Sequence, residues 1–352
     1  MYRPRTVYRG KEKNGRLATL IVSILMALIL FAVWLFYDLQ QYMVYDKDGA
    51  RLVLPAERAA PEEAAPRPGA VPARAGAPVE VELVFDRADY SGLVSDAGAG
   101  LGDMKARFVR AEALTGTLLS AFITGGLGDY DALVLELKPA SGLLAYHSAV
   151  PLAESYGLNG TLEMQGYAEQ LKERGVRLVA QLSALPDAAL AVRDAPIALK
   201  NASTGGVYTE NGTAWLDPYN DAVRSYLSAL MAELKEMGFD EILFDGLYLS
   251  GEGFSFSVPM TSVPDAEDAV SSLALYFREQ ADALELKVSA VAADGRGGQD
   301  AALFVKAFDR VACPDGDALI PALASALGGT SDARLVLIGG GYLPDSESYI
   351  VK

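Results

Sequence analysis

Acidic residues stand where short apolar runs end. The run 241–244 (EILF) delivers Asp245, the run 132–137 carries Glu136 and leads into Lys138, and the run 287–291 is followed by Asp294. Glu112 follows the run 106–110, and Asp315 and Asp317 follow the run 310–313. Carboxyl groups converging on one opening suit cleavage of a glycosidic bond. One carboxyl, kept protonated by desolvation and by the like charge beside it, releases the leaving oxygen, while the other attacks the anomeric carbon or activates water. The two lie about 5 Å apart in the first case and about 6.5 to 9.5 Å apart in the second. Asp245 is the leading candidate for nucleophile or base, because its run is the most apolar and the residues after it, Gly246 to Tyr248, do not begin a helix. Glu136 or Asp294 is then the acid. The acids at 294, 315 and 317 would equally serve as caps for a following helix.

Five further residues are candidates for substrate contact: Trp215, Asp217, Lys138, His147 and Tyr248. A tryptophan beside such an opening stacks on a sugar face. Asp217 has a second reading, since Asp-Pro before a helix is an N-cap followed by proline at the first helical position. His147 lies in an arm (GLLAYHS) beyond the 132–137 run and also reads as a surface histidine. It is the chain's one histidine, and Cys313 its one cysteine. This excludes an intramolecular disulfide and a multi-histidine zinc site, and no nucleotide motif is present, so no cofactor or metal is expected.

The elements that must position these groups alternate. From about Val79 onward, β-branched runs at 81–85, 106–110, 132–137, 176–182, 241–244, 287–291, 310–313 and 334–338 are separated by amphipathic helices. Tyr219, Val223, Tyr226, Leu227, Leu230, Met231 and Leu234 form one apolar stripe ended by Gly238, and Met164, Tyr167, Ala168 and Leu171 form a second ended by Gly175. Val270, Leu273, Phe277, Ala281 and Leu284 form a third, N-capped by Asp265. About eight strands in this length predict an α/β fold of the (β/α)8 TIM-barrel type, with chemistry at the C-terminal ends of the strands. A doubly wound sheet would carry a glycine-rich turn after its first strand, and none is present. No helix follows the last run, so the barrel is expected to be irregular or incomplete unless 81–85 completes the ring.

The first 16 residues hold six cations and one acid and precede 21 uncharged residues, 17–37, roughly 30 Å of helix. This predicts a single-pass cell-membrane protein contacting the lipid bilayer through residues 17–37, with a cytoplasmic basic tail at 1–16 and the C-terminal domain outside. A juxtamembrane segment at 38–54, read as a hairpin turning at Asp48-Gly49, is followed by a Pro/Ala-rich linker at 55–78 with six prolines and by the barrel at 79–352. The net charge is −16 and the first 16 residues contribute +5, so the remainder stands at −21. A domain this acidic is not expected to bind nucleic acid.

Residues 213–220 (TAWLDPYN), the helix after them and residues 238–245 (GFDEILFD) resemble a glycoside hydrolase domain family of bacterial membrane-linked proteins, a domain of unknown function with a TIM-barrel fold. The family's pattern runs W-x-D-P-Y-N, an amphipathic helix, then G-F-D-E-I-x-F-D-Y-x-R-F-P. The likeness is specific over roughly residues 131 to 250. It implies a glycosidase-like barrel, with Asp245 where related sugar-cleaving barrels carry the nucleophile, and a polysaccharide or peptidoglycan as partner. Tyr248 stands where the pattern has arginine, and Pro139 and Ala140 follow Lys138 where the family tends to have an acid. The first expectation is a cell-surface glycoside hydrolase acting on a cell-wall or extracellular polysaccharide. The second, motivated by those two departures, is a catalytically inactive glycan-binding or structural envelope protein on the same barrel.

Overall fold

The computed structural model describes residues 43–46, 49–52, 96–249, 252–258, 264–341, 343 and 346–352. The chain divides into two compact units, Met1–Val79 and Glu80–Lys352. In the first, strands Met43–Asp46 and Gly49–Leu52 pair antiparallel, Met43 opposite Leu52 and Asp46 opposite Gly49. This is the expected hairpin, with a correction: Gly49 is a paired strand residue, opposite Asp46, and not part of the turn. The membrane span at 17–37, the basic tail, the linker and the strand at 81–85 lie outside the described residues. Among the described residues no helix is long and apolar enough to cross a membrane.

In the second unit eight parallel strands close into a barrel: β1 (Lys105–Val109), β2 (Ala132–Lys138), β3 (Arg177–Ser183), β4 (Glu241–Asp245), β5 (Lys287–Val291), β6 (Arg310–Pro314), β7 (Leu335–Gly339) and β8 (Tyr349–Val351). Each strand pairs with its neighbours in chain order, and β8 pairs with both β7 and β1, Leu337 opposite Tyr349 and Ile350 opposite Ala106. The ring is therefore closed by the last residues of the chain and is complete with eight strands. All eight places in the ring are thus taken by described strands, with none left for the run 81–85 to complete. β8 is only three residues long and follows β7 without a long helix, so it carries no periodic signal of its own.

Alternation along each strand sorts the side chains. Ala106, Ala132, Val134, Val179, Leu243, Val291, Ala312, Val336, Ile338 and Ile350 fill the interior, and the many small residues suit the narrow lumen of an eight-stranded barrel. Their neighbours Leu133, Leu135, Leu137, Leu178, Ala180 and Leu182 face outward and pack with the helices. The principal helices are α1 (Gly116–Gly125), α2 (Met164–Glu173), α3 (Asp221–Glu236), α4 (Ala266–Ala283), α5 (Ala301–Ala307) and α6 (Ile320–Leu327). α3 buries Val223, Tyr226, Leu227, Leu230, Met231 and Leu234, and α4 is N-capped by Asp265, whose carboxylate accepts from the amide of Asp268 at 2.8 Å. At the N-terminal end of the barrel Arg310 and Glu241, both buried, form an ion pair, and Arg310 also donates to the carbonyls of Gly102 and Ala333.

The C-terminal end is asymmetric. Connections of residues 139–163, 184–220 and 246–265 follow β2, β3 and β4, whereas only 110–115, 292–300 and 315–319 follow β1, β5 and β6. The connection after β3 pairs antiparallel with the one after β4, Lys200–Asn201 with Phe254–Ser255, and folds on itself through Thr209–Glu210 paired with Thr213–Ala214. The long connections raise a wall over one side of the mouth.

Candidate active site

Register decides which polar groups meet under that wall. Glu136 of β2 lies opposite Gln181 of β3, Gln181 lies opposite Leu243 of β4, and Asp245 is two residues beyond Leu243 on the same face. A cavity of about 140 Å³ opens there, lined by Glu136, Lys138, Gln181, Ser183, Asp245, Tyr248 and Arg296 among others. Four of the expected site residues are thus brought together: Glu136, Lys138, Asp245 and Tyr248. Asp294, His147, Trp215 and Asp217 do not line this cavity.

Among the described residues three donors hold Asp245. Its Oδ1 accepts from Arg296 Nη1 at 2.8 Å and from the amide of Gly246 at 2.7 Å, and its Oδ2 accepts from Gln181 Nε2 at 3.3 Å. Gly246 has φ +69°, and a Cβ there would lie 2.5 Å from Cδ of Pro186, so no side chain fits at the turn that aims the carboxylate. The Arg296 guanidinium lies 4.8 Å from the centroid of the Tyr248 ring, which packs edge-on against Trp215 with centroids 5.0 Å apart. Burial pushes the Tyr248 phenol above its ordinary pKa, and the Arg296 charge pulls the other way without reversing it. Arg296 corrects a sequence expectation. Tyr248 replaces the arginine of the family pattern, but a guanidinium still reaches the carboxylate from the connection after β5. Gln181 and Arg296 were both missed. A glutamine at an inward position within the buried part of its strand is a legible signal, whereas Arg296 meets Asp245 only because β4 and β5 are neighbours.

Glu136 is half-buried, and its Oε2 accepts from the amide of Ala111 at 2.9 Å, which ties it to the connection after β1. The ladder shifts between Glu136 and Lys138, so that Lys138 lies opposite Leu182. Such a bulge re-aims a side chain. Lys138 is fully buried; its Nζ lies 2.8 Å from Asp187 Oδ2, itself fully buried, and donates to the Ser183 carbonyl at 2.8 Å. The Asp187 Oδ1 caps the short helix Ala188–Arg193 by accepting from the Leu190 amide. Lys138 thus bolts the ends of β2 and β3 together beneath the cavity.

The remaining candidates hold the wall or the surface. Asp217 is buried. Its Oδ1 accepts from the amide of Tyr219 at 2.9 Å, and its Oδ2 accepts from the Ser257 hydroxyl at 2.7 Å and from the Ser257 and Val258 amides. It pins the connection after β4 and is not the N-cap of α3. That place belongs to Asn220, whose side chain accepts from the Ala222 amide at 3.0 Å. Trp215 is buried behind Tyr248. His147 is half-exposed, its Nδ1 3.4 Å from Glu163. Asp294 is exposed, and its amide is held by the carboxylate of Asp317, which also accepts from the Leu319 amide. Among the described residues no cluster of three or more His, Cys, Asp or Glu could hold a metal ion.

Residues 119–297, just over half of the chain, match the family described as "Putative glycosyl hydrolase domain". The chain belongs to this family. The glycosyl hydrolase domain so matched begins within α1 and ends in the connection after β5, so it holds Glu136, Gln181, Asp245 and Arg296, while β1, β6, β7 and β8 complete the ring from outside it. Solved structures that match the chain include a hypothetical protein from Ruminiclostridium thermocellum, 23% identical, with 52% of this chain and 95% of that one covered and a TM-score of 0.47. The Aspergillus fumigatus protein Ega3, solved in complex with galactosamine, is 11% identical, with coverage of 72% and 92% and a TM-score of 0.45. The glycoside hydrolase domain of PelA from Pseudomonas aeruginosa is 18% identical, with coverage of 69% and 85% and a TM-score of 0.40. No curated protein matches the chain.

Proposed function

We propose that the protein is a cell-surface glycosidase cleaving an extracellular or cell-wall polysaccharide, peptidoglycan included, with Asp245 and Glu136 as its carboxylate pair. The observation that carries this reading is that both groups line one cavity at the C-terminal mouth of the barrel, the end where barrels of this type carry their chemistry. Glu136 is preferred to Asp294 as the acid because Asp294 does not line the cavity. As the glycosidic C–O bond breaks, its electron pair passes to the leaving oxygen, which takes the proton of Glu136. Asp245 either bonds to the anomeric carbon itself, water later releasing the sugar with Glu136 as base, or takes the proton of a water attacking the same carbon. The one-sided wall, with short connections opposite, supports a cleft that admits a polymer. The cationic residues 1–16 and the uncharged run 17–37 support a membrane anchor with the barrel outside, which a reporter fused at Lys352 would test.

Glu136→Gln tests the acid. Turnover of polysaccharide should fall by about 10²- to 10⁴-fold, with a much smaller loss on aryl glycosides whose leaving groups need no proton. Equal loss on both substrates removes Glu136 from the acid role.

A second reading, a glycan-binding barrel without chemistry, is favoured by Pro139 and Ala140, which follow Lys138 where the family pattern tends to have an acid. Retention of a polysaccharide that is never cleaved would establish it.

A further inference from the structure

We propose that Arg296 is the positioning residue of this site, holding Oδ1 of Asp245 so that Oδ2 is the oxygen that acts on the sugar or on the attacking water. This rests on the glycosidase reading and deepens it.

The two oxygens of Asp245 are unequal. Oδ1 receives Arg296 Nη1 at 2.8 Å and the Gly246 amide at 2.7 Å, which occupies both of its in-plane lone pairs. Among the described residues Oδ2 receives one long contact, Gln181 Nε2 at 3.3 Å, which leaves it a lone pair for reaction. A carboxylate free to rotate about Cβ–Cγ would present either oxygen at varying angles. A guanidinium and a backbone amide on the same oxygen remove that freedom before substrate arrives, which is the preorganisation that a reacting oxygen requires.

Arg296 can do this because it is itself held. Its guanidinium lies 4.8 Å from the Tyr248 ring centroid, and Trp215 backs that ring edge-on. Its connection is stitched to the one after β4, where Gln299 Nε2 donates to the Leu247 carbonyl at 3.0 Å and the Leu249 amide donates to the Gly297 carbonyl, and is closed on itself by Gln299, which also donates to the Val291 carbonyl at 3.1 Å and accepts from the Ala293 amide. Tyr248 and Trp215 then act through Arg296, as its support, and not as a stacking platform for sugar.

The test uses the full chain. Arg296→Ala should lower kcat on the polysaccharide that wild type cleaves by about 10²-fold with little change in KM, the scale of a reacting group displaced by about 1 Å. Arg296→Lys should recover part of the loss, and added guanidinium should recover part of it in Arg296→Ala but change nothing in wild type. An activity-independent readout runs alongside: the ¹³C carboxyl resonance that disappears in Asp245→Asn should move when guanidinium is added to Arg296→Ala and stay still in wild type. If Arg296→Ala keeps full kcat, or if guanidinium restores no activity and leaves the Asp245 resonance unmoved, Arg296 does not position this carboxylate. If wild type is inert but the resonance responds, the anchoring of Asp245 stands and the glycosidase reading fails.

Discussion

Closure of the barrel by its last residues makes Ile350 a sensitive position. Its side chain is 1% exposed and lies in the interior cluster with Ala106, Val336 and Ile338. Ile350→Ala removes buried methyl groups from a space bounded by β7 and β1, both committed to the closed ladder, so the surroundings relax little. Substitutions of this kind cost about 2 to 5 kcal/mol, and poor relaxation argues for about 4. A domain stability on the order of 10 kcal/mol would lose more than a third of its value. With a urea dependence of about 3 kcal/mol per molar, the unfolding midpoint should fall by roughly 1.3 M. Val351→Ala, at a half-exposed outward position of the same strand, is the control and should shift the midpoint by less than about 0.4 M. Urea unfolding followed by circular dichroism measures both. A midpoint for Ile350→Ala within about 0.3 M of wild type would mean that β8 does not close the barrel in solution.

Two further substitutions probe the site's supports. Lys138→Met leaves the buried Asp187 carboxylate without its cation and should cost about 3 to 5 kcal/mol, whereas Lys138→Met combined with Asp187→Asn, which keeps an acceptor for the Leu190 amide, should recover much of that. Identical unfolding midpoints for the single and double variants would deny the pair any such role. Asp309 gives a pH dependence. Burial raises its pKa, but amides of Gly98 and Val288 and the Arg278 guanidinium outweigh that and hold it below its ordinary value. A carboxyl lowered in the folded state stabilises above the unfolded value of about 3.9, and that contribution is lost as pH falls through the lower folded value. Asp309→Asn should therefore lose less stability than wild type on acidification below about pH 4, and parallel urea-midpoint curves would contradict it.

Much of the barrel was legible because its signals are local. The run 287–291 alternates and ends where its strand ends, and the stripe from Val223 to Leu234 is one buried helix face. Asp265 caps α4 as its spacing predicts. What escaped depends on partners distant in sequence. Tyr349–Val351 is three residues without periodicity and becomes a strand only by lying between Leu337 and Ala106. Asp217 has the sequence of a cap, but the connection after β4 folds back to claim its carboxylate through Ser257, which leaves Asn220 to cap α3. The site divides the same way. Glu136 and Asp245 were legible as acids at the ends of apolar runs, whereas Arg296 reaches Asp245 from a different connection, 51 residues further along the chain.

Hydrolysis of a polysaccharide and peptidoglycan panel by the full chain, wild type beside Asp245→Asn, decides whether Asp245 performs the chemistry. Reducing ends are expected from wild type and none above background from Asp245→Asn, with unchanged urea unfolding for both. Equal release by the two proteins would remove Asp245 from the chemistry, and retention of glycan by both without cleavage would make this a binding barrel.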